Sequence, residues 1–456
     1  MRLGSANMST EPLAAQASLP SLRSRFQVGV AFNLIGAVFN QGSTFAFNII
    51  AANMLGRQVF GEYAMVQSTV VSFALIAQFA VPFTTTKYVA EFRASDPARA
   101  GRILGVMTVL SFLIAGIVTL AFLAASPWIA RSVLKTPSLG LALAIASVVL
   151  LMTSLNGFLM GALAGLESYR ILAGALTWSG ICYLVICSAL AWLGGLNGAI
   201  IGLALSGLVQ CVLLAVAVRK ECSLQGIKLR FHGIAQERQA ILKFNLPAGL
   251  IGFTSGPALW LPSAFLIRQA QGYSQMAIYS AAFSLTAIVL FLPNIANIVG
   301  TTIINQHKGM GNSPEYRQSF WINLVIIAVV ILCGAGMFAL LGPELLRFFG
   351  KSFNEGYTVL LVLLLSTVPQ GLALAVSQIV QSQGKLWLYF LAVAIPRDAL
   401  IIVMAYLLIP AYGARGLAIA YVAGWTLAAL ATVVIVFRIG IDLIPRREQL
   451  ARSVSY

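Results

Sequence analysis

Residues 319–342 read SFWINLVIIAVVILCGAGMFALLG, without a single charged side chain. As a helix this stretch rises about 36 Å at ~1.5 Å per residue, enough to cross a hydrocarbon core about 30 Å thick. Working outward, the same composition recurs near 28–54, 60–86, 103–125, 138–164, 170–193, 196–218, 243–267, 274–303, 356–381, 385–409 and 414–437. That makes about twelve spans. Of the 456 residues 59% are hydrophobic and only 9% charged, whereas a soluble domain is about a quarter charged. The expected fold class is an all-α polytopic membrane protein. Transmembrane β-strands do not fit, because they give alternating segments of about ten residues. The gaps between spans leave no room for a soluble domain. Residues 1–26 are polar and rich in Ala, Ser and Pro, and the first apolar stretch is too long for a signal h-region. They read as a cytoplasmic tail ahead of an uncleaved first helix.

The formal net charge of +16 looks like a nucleic-acid signature until the cations are placed. Of 29 Lys and Arg, 21 fall in alternate gaps and the tails, among them Lys87, Arg93, Arg99, Arg102, Arg219, Lys220, Lys228 and Arg230. Seven fall in the other gaps: Arg57, Arg131, Lys135, Arg268, Arg347, Lys351 and Arg415. Arg397 lies inside a span. This bias is the positive-inside rule with both termini cytoplasmic, and it favours an even span count. Inside cations meet anionic membrane lipids; no nucleic-acid partner is implied. None of the cysteines (182, 187, 211, 222 and 333) falls in an outside gap, so no disulfide is expected. His232 and His307 stand apart from any cysteine cluster, and neither a metal nor a cofactor is expected.

The most polar loop, 219–242, divides the chain into an N-terminal six-helix bundle at 27–218 and a C-terminal one at 243–438, with a tail at 439–456. A shift of 216 residues superposes Tyr63 on Tyr279, Ser68 on Ser284, Ala80 on Ala296, Thr85 on Thr301 and Thr86 on Thr302, with Gln78 on Asn294. Six spans per half make such a repeat parallel, and two such bundles can rock about a central cavity.

Polar residues inside spans mark the face turned from lipid. Asn33, Asn40, Thr44 and Asn48 share one helical face of the first span, Gln67, Gln78 and Thr85 one of the second, and Asn294, Asn297, Thr301 and Asn305 one of the eighth. Such stripes either bond helices together or line a hydrated cavity, where amides that donate and accept suit sugar hydroxyls. Pro247, Pro257 and Pro262 in the seventh span predict a helix that bends or breaks, as a gate or as a static kink. Arg397 and Asp398 are the charge pair well inside a span. Being adjacent they point about 100° apart and need not bond each other. Facing a cavity, Arg397 can hold a phosphate and Asp398 can titrate in ion coupling; the alternative is that their span starts later and leaves both at the interface. Arg57 and Arg268 sit at outside helix ends, as snorkelling residues or at a cavity mouth. The chain holds no GxxxxGK[ST] and no HExxH, so an ATPase of its own or an enzyme is not expected.

At the first hairpin, residues 51–70 read AANMLGRQVFGEYAMVQSTV. This resembles the LGxxxFGxYA segment of Wzx-type polysaccharide exporters, carried here by Leu55, Gly56, Phe60, Gly61, Tyr63 and Ala64. TKYVAEF at 86–92, GFLMGALAGLESYR at 157–170, KFNLPAGL at 243–250 and GARGLAIAYVAGW at 413–425 are similar in style. The resemblance implies the multidrug/oligosaccharidyl-lipid/polysaccharide exporter superfamily, whose fold is two six-helix bundles about a V-shaped cavity. It implies a flippase of undecaprenyl-diphosphate-linked oligosaccharide in the bacterial inner membrane, with glycosyltransferases and a polymerase as partners. Arg397, Arg268, Arg57, Asn33, Asn40, Asn294 and Asn297 would then contact the substrate, with Asp398 in coupling. Family members often carry several cavity cations, and here only Arg397 is clearly within a span. A drug or cation antiporter of the same fold is the alternative, although no central Asp or Glu is evident in the first-half spans. A membrane glycan polymerase or ligase fits less well, since those usually need a large periplasmic loop.

Overall fold

The computed structural model describes residues 22–231, 245–306, 314–382 and 386–438. The two tails beyond them, and residues 232–242 of the expected linker, lie outside the described residues. Within them the chain forms α1 Leu22–Gln78, α2 Val81–Phe92, α3 Pro97–Val133, α4 Leu139–Gly165, α5 Tyr169–Leu224, α6 Leu246–Ile267, α7 Gly272–Gln306, α8 Pro314–Arg347, α9 Tyr357–Ser382, α10 Leu386–Tyr412 and α11 Ala414–Arg438. No strand occurs among the described residues. This is the expected class, an all-α polytopic membrane protein, since only a backbone that satisfies its own hydrogen bonds can face hydrocarbon.

Ten of these helices are long and apolar enough to cross a membrane. Two of them cannot be straight, because 57 and 56 residues would each extend about 85 Å. Helix α1 leaves helical geometry at Gly56 (φ 74°) and doubles back there. The Phe47 and Tyr63 rings, sixteen residues apart in sequence, stand edge to face with centroids 5.9 Å apart. Helix α5 turns at Gly194 and Gly195, which brings Cys187 Sγ within 3.7 Å of Ser206 Oγ. Each long helix therefore contains two apolar runs, so the ten helices carry twelve, matching the spans read from hydropathy.

The turn at Gly195 (φ 55°, ψ −133°) recurs 218 residues later at Gly413 (φ 53°, ψ −130°). Only glycine holds these angles without strain. Three residues past each turn the same close approach appears: a Cβ on Gly198 would lie 1.9 Å from the Leu190 carbonyl oxygen, and one on Gly416 2.5 Å from that of Leu408.

The second run of α1 stops at Gln78 rather than continuing to residue 86. Phe79 and Ala80 take positive φ (41° and 56°), and α2 starts anew with a proline in its first turn. Pro82 has no N–H to offer the Gln78 carbonyl, so the helix breaks there. At the other margin, α5 runs helically to Leu224, past the expected start of the linker at 219.

Helices α1 to α5 pack on one another, and so do α6 to α11; the face between these groups is made by α1 against α6 and α7. Small residues set the spacing. Gly256 lies against the Ser72 carbonyl and Gly252 against that of Leu75. Hydrocarbon gives no hydrophobic drive for helix association, so close backbone packing replaces it. Phe112, Ile117, Leu120 and Leu340 are exposed, as suits a lipid-facing surface.

Gly413→Ala is expected to destabilise the protein by about 1–3 kcal/mol, the cost of a Cβ in a glycine-only conformation. Gly42→Ala, which meets open space, is expected to leave stability unchanged or slightly raised. Thermal unfolding of the two purified variants in detergent separates the cases, and equal melting temperatures would refute the strained-turn argument.

Candidate functional site

Two adjoining cavities occupy the interior. The first, about 420 Å³, lies between the two helix groups. Gln41, Thr44, Asn48, Gln67, Ser68 and Ser72 of α1 face Ser263 of α6, Tyr279, Ser280 and Ser284 of α7, and Tyr421 of α11. The second, about 460 Å³, lies within the first group and is lined by Asn40, Gln67, Gln78, Thr153, Asn156, Tyr183 and Gln210 among others. Thr44, Gln67 and Val71 border both. Among the described residues no Asp, Glu, Lys, Arg or His lines either.

Several lining groups are buried but incompletely bonded. Asn48 donates from Nδ2 to Ser284 Oγ at 3.4 Å, while its Oδ1 has no partner. Asn156 donates to the Gly207 carbonyl and to Gln210 Oε1, and its Oδ1 is likewise unmatched, as is Ser72 Oγ. Leaving such a group unpaired costs about 1–3 kcal/mol, and in this conformation each of these atoms is shielded from the cavity space.

Two polar contacts cross the first cavity in the register of the internal repeat. Asn48 of the first run meets Ser284 of α7, and Ser263 of α6 meets Ser68 of the second run at 3.5 Å. Ser68 and Ser284 are the pair superposed by the 216-residue shift.

At the end of the molecule that carries Gly56 and Gly413, each group reaches across to the other. Arg57 pairs with Glu355 at 2.8 Å and donates to the carbonyls of Ser352 and Ser274, while Asn53 donates to that of Phe348. Reciprocally, Arg268 donates to the carbonyls of Val133 and Ser132, and Tyr273 donates to Thr136 Oγ1 at 3.0 Å. The Arg268 acceptors close a π-helical turn, Ile129–Val133, that follows Pro127. Ser126 Oγ bonds the Leu123 carbonyl, the acceptor that Pro127 leaves free. Near the opposite end, Thr84 Oγ1 bonds Asn245 Oδ1 at 2.7 Å.

Arg397 and Asp398 lie in the first half of α10. They follow a π-helical turn, Phe390–Ala394; Pro396 cannot donate to Ala392, and the looser turn ahead of it absorbs the mismatch. Contrary to the adjacency argument, the two bond each other. Arg397 Nε donates to Asp398 Oδ1 at 2.8 Å, and Nη2 donates to Ser255 Oγ at 2.8 Å. Ser255 in turn donates to Asp398 Oδ2 at 3.0 Å. The guanidinium carbon lies 4.7 Å from the Trp425 ring centroid. Both residues are buried, and neither lines either of the two cavities. Ser255 on α6 supplies the bridge that residue spacing alone does not show.

Among the other residues singled out, Asn40 faces the second cavity, Asn294 is exposed, and the side chains of Asn33, Asn297 and Pro247 lie outside the described residues. Helix α6 runs unbroken from Leu246 to Ile267 despite Pro257 and Pro262, and Pro262 lines the first cavity. Missing from the stripe reading were Tyr279, Ser280, Phe283, Ser284 and Ala287, which carry the α7 wall. Their helical spacing was present, but Ser and Ala contrast too little with Leu and Val to stand out.

Residues 27–304 match the family described as polysaccharide biosynthesis protein. The chain belongs to this family. A relative named EPS I polysaccharide export inner membrane protein EpsE, from Ralstonia nicotianae, is 23% identical over 413 residues, covering 89% of this chain and 92% of its own. Among solved structures, the fold matches a multidrug resistance MATE family transporter of the MOP superfamily. Its inward-facing conformation gives a TM-score of 0.71 at 17% identity, over 91% of this chain and 98% of that one. The outward-facing conformation gives 0.66 at 18% identity, over 92% and 96%. This family member therefore has the fold of that solved transporter and, among the described residues, two cavities without charged lining and one buried charge pair.

Removing one member of that pair leaves the other charge buried alone, at a cost of about 3–5 kcal/mol. Asp398→Leu and Arg397→Met are each expected to lower the melting temperature markedly, and the double variant less than the sum. Additive losses would show that the two do not act as a pair.

Proposed function

We propose that this chain moves a lipid-linked oligosaccharide, of the undecaprenyl-diphosphate type, across the bacterial inner membrane by alternating access, for assembly of a surface polysaccharide. The observation that carries the proposal is the set of uncharged amides and hydroxyls among the otherwise apolar walls of two adjoining cavities. Gln41, Gln67 and Ser68 supply them in the first, Asn40, Gln78 and Gln210 in the second. This inventory matches a sugar, which both donates and accepts at every hydroxyl. It does not match a cationic drug, for which a carboxylate in the lining is the usual partner. Membership of the polysaccharide biosynthesis family and the export role in a relative's name point the same way.

An uncharged interior also bears on the diphosphate. Neither cavity can neutralise it, so in this reading the sugars enter the interior, while the diphosphate and the lipid tail stay at the margin between the helix groups. Arg397 then serves to pin α6 to α10 rather than to hold phosphate. Asp398 accepts from Arg397 and Ser255, which disfavours a coupling role in this conformation.

Alternating access requires the two ends to open in turn. The end bearing Arg57 and Arg268 is closed by contacts that break easily: Glu355 is exposed, and a surface ion pair contributes roughly 0–1 kcal/mol. The positive-inside distribution makes this the periplasmic end and puts both termini in the cytoplasm. Glycosyltransferases and a polymerase are the expected partners.

Asn48→Leu and Asn156→Leu, expressed in a strain lacking the native gene, are expected to slow translocation about tenfold each, the equivalent of one hydrogen bond near the top of the usual range. Lipid-linked oligosaccharide should accumulate and surface polymer should fall, at normal protein levels. Unchanged glycan, with altered drug sensitivity in the null strain, would replace the reading with a drug antiporter. Arg57→Ala is expected to speed labelling of a cysteine placed at Ser284 by a membrane-impermeant reagent from the periplasmic side; an unchanged rate would remove Arg57 from the gate.

A further inference from the structure

A third, apolar cavity of about 210 Å³ lies on the flank of the first helix group, between α3, α4 and the second run of α5. Leu104, Leu155, Leu159 and Ala215 are typical of its lining, and Arg219 is its one charged residue. Its α4 residues, Leu155, Phe158 and Leu159, are on the side of that helix opposite Thr153, Asn156 and Met160, which line the second cavity. The wall of α4 and α5 separates the two spaces. A lipid tail joined to a sugar in the interior cannot reach this slot.

The chain after α5 forms a strap over the slot. Arg230 N–H donates to the Gly101 carbonyl at 3.1 Å. A Cβ on Gly101 would lie 2.1 Å from the Lys228 carbonyl oxygen, and one on Gly105 2.2 Å from that of Arg230. These two glycines of α3 let the strap lie flat, so that Leu229 closes the slot while Lys228 and Arg230 remain exposed beside exposed Arg219 and Lys220. The acid in this stretch, Glu221, is buried and accepts from Ser168 Oγ at 2.7 Å, so it does not neutralise the group.

We infer that this slot holds one acyl chain of an anionic phospholipid, whose phosphate is met by Arg219 and Arg230. The site takes hydrocarbon, because its walls are almost wholly apolar, and an anionic headgroup, because Arg219 lines it and Lys220, Lys228 and Arg230 are exposed in the adjoining chain, with no carboxylate among the described lining residues. Cys211 to Arg219 spans about 12 Å of helix, so the slot runs along the membrane normal as a chain in one leaflet does. The bound lipid fastens the strap to α3 and fixes where the link to the second helix group departs. The inference is independent of what the interior carries.

Cys211, a half-buried thiol in the slot wall, reports occupancy. The purified full-length protein in neutral detergent is titrated with phosphatidylglycerol or phosphatidylcholine, and N-ethylmaleimide modification of Cys211 is followed by peptide mass spectrometry, with exposed Cys333 as the control. Phosphatidylglycerol is expected to slow Cys211 modification several-fold at concentrations where phosphatidylcholine does little. The Arg219→Gln/Arg230→Gln variant should need roughly tenfold more or beyond, given the usual contribution of each cation at an anionic surface. Both substitutions are at exposed positions, so the variant should fold. Ala215→Phe, which fills the slot, should lose phosphatidylglycerol retained in native mass spectrometry. Equal protection by the two lipids, an unchanged titration in the double variant, or protection by a polyprenyl phosphate alone would each overturn the proposal.

Discussion

The structure depends on a single constraint: in hydrocarbon every backbone N–H and C=O must find a partner within the chain. That constraint forces helices and limits the places where the chain can deviate from them. Many of the deviations are built from glycine or proline, and others turn at non-glycine residues such as Ala80 and Glu167 between helices. Gly56, Gly195 and Gly413 reverse the chain between apolar runs. Pro127 has a serine hydroxyl on the carbonyl it orphans, and Pro396 is preceded by a looser turn. Each deviation also places something useful. The turn after Pro127 presents the carbonyls that Arg268 grips, and the turn before Pro396 puts Arg397 and Asp398 opposite Ser255.

Charge is handled by exclusion. The interior cavities carry amides and hydroxyls on mostly apolar walls, and among the described residues the one ion pair deep in a helix is closed on itself through a hydroxyl and an indole face. A buried pair of this kind adds little net stability but is costly to break, which suits a pin between two helices. Water-facing arginines take the opposite role. Arg57 and Arg268 cross between helix groups at one end, where solvent weakens each bond enough for it to open and close.

The chain belongs to the polysaccharide biosynthesis family and shares its fold with solved transporters of the MOP superfamily. Identity to the solved structures is low, so the likeness carries the arrangement of helices and not the cargo. The cargo question turns on chemistry: among the described residues, amides and hydroxyls without a charged neighbour line both cavities.

The sequence by itself determined the class and the path of the chain. Uncharged runs of helical length, the alternation of basic gaps, and glycines at hairpins such as Gly56 are local properties, and the bilayer reads them locally. The polar face of Asn40, Thr44 and Asn48 was legible for the same reason, because residues at helical spacing share a side whatever they pack against. Tertiary structure alone decided the partners. Adjacent residues on a helix diverge by about 100°, so nothing in the order Arg397–Asp398 foretold that Ser255, on a helix over a hundred residues away, would draw their long side chains together. Arg57 and Arg268 found backbone carbonyls, which every residue carries and no pattern marks. The α7 wall of the cavity was hidden because serine and alanine are neither polar nor apolar enough to make a stripe, and only their packing against α1 showed which side they face.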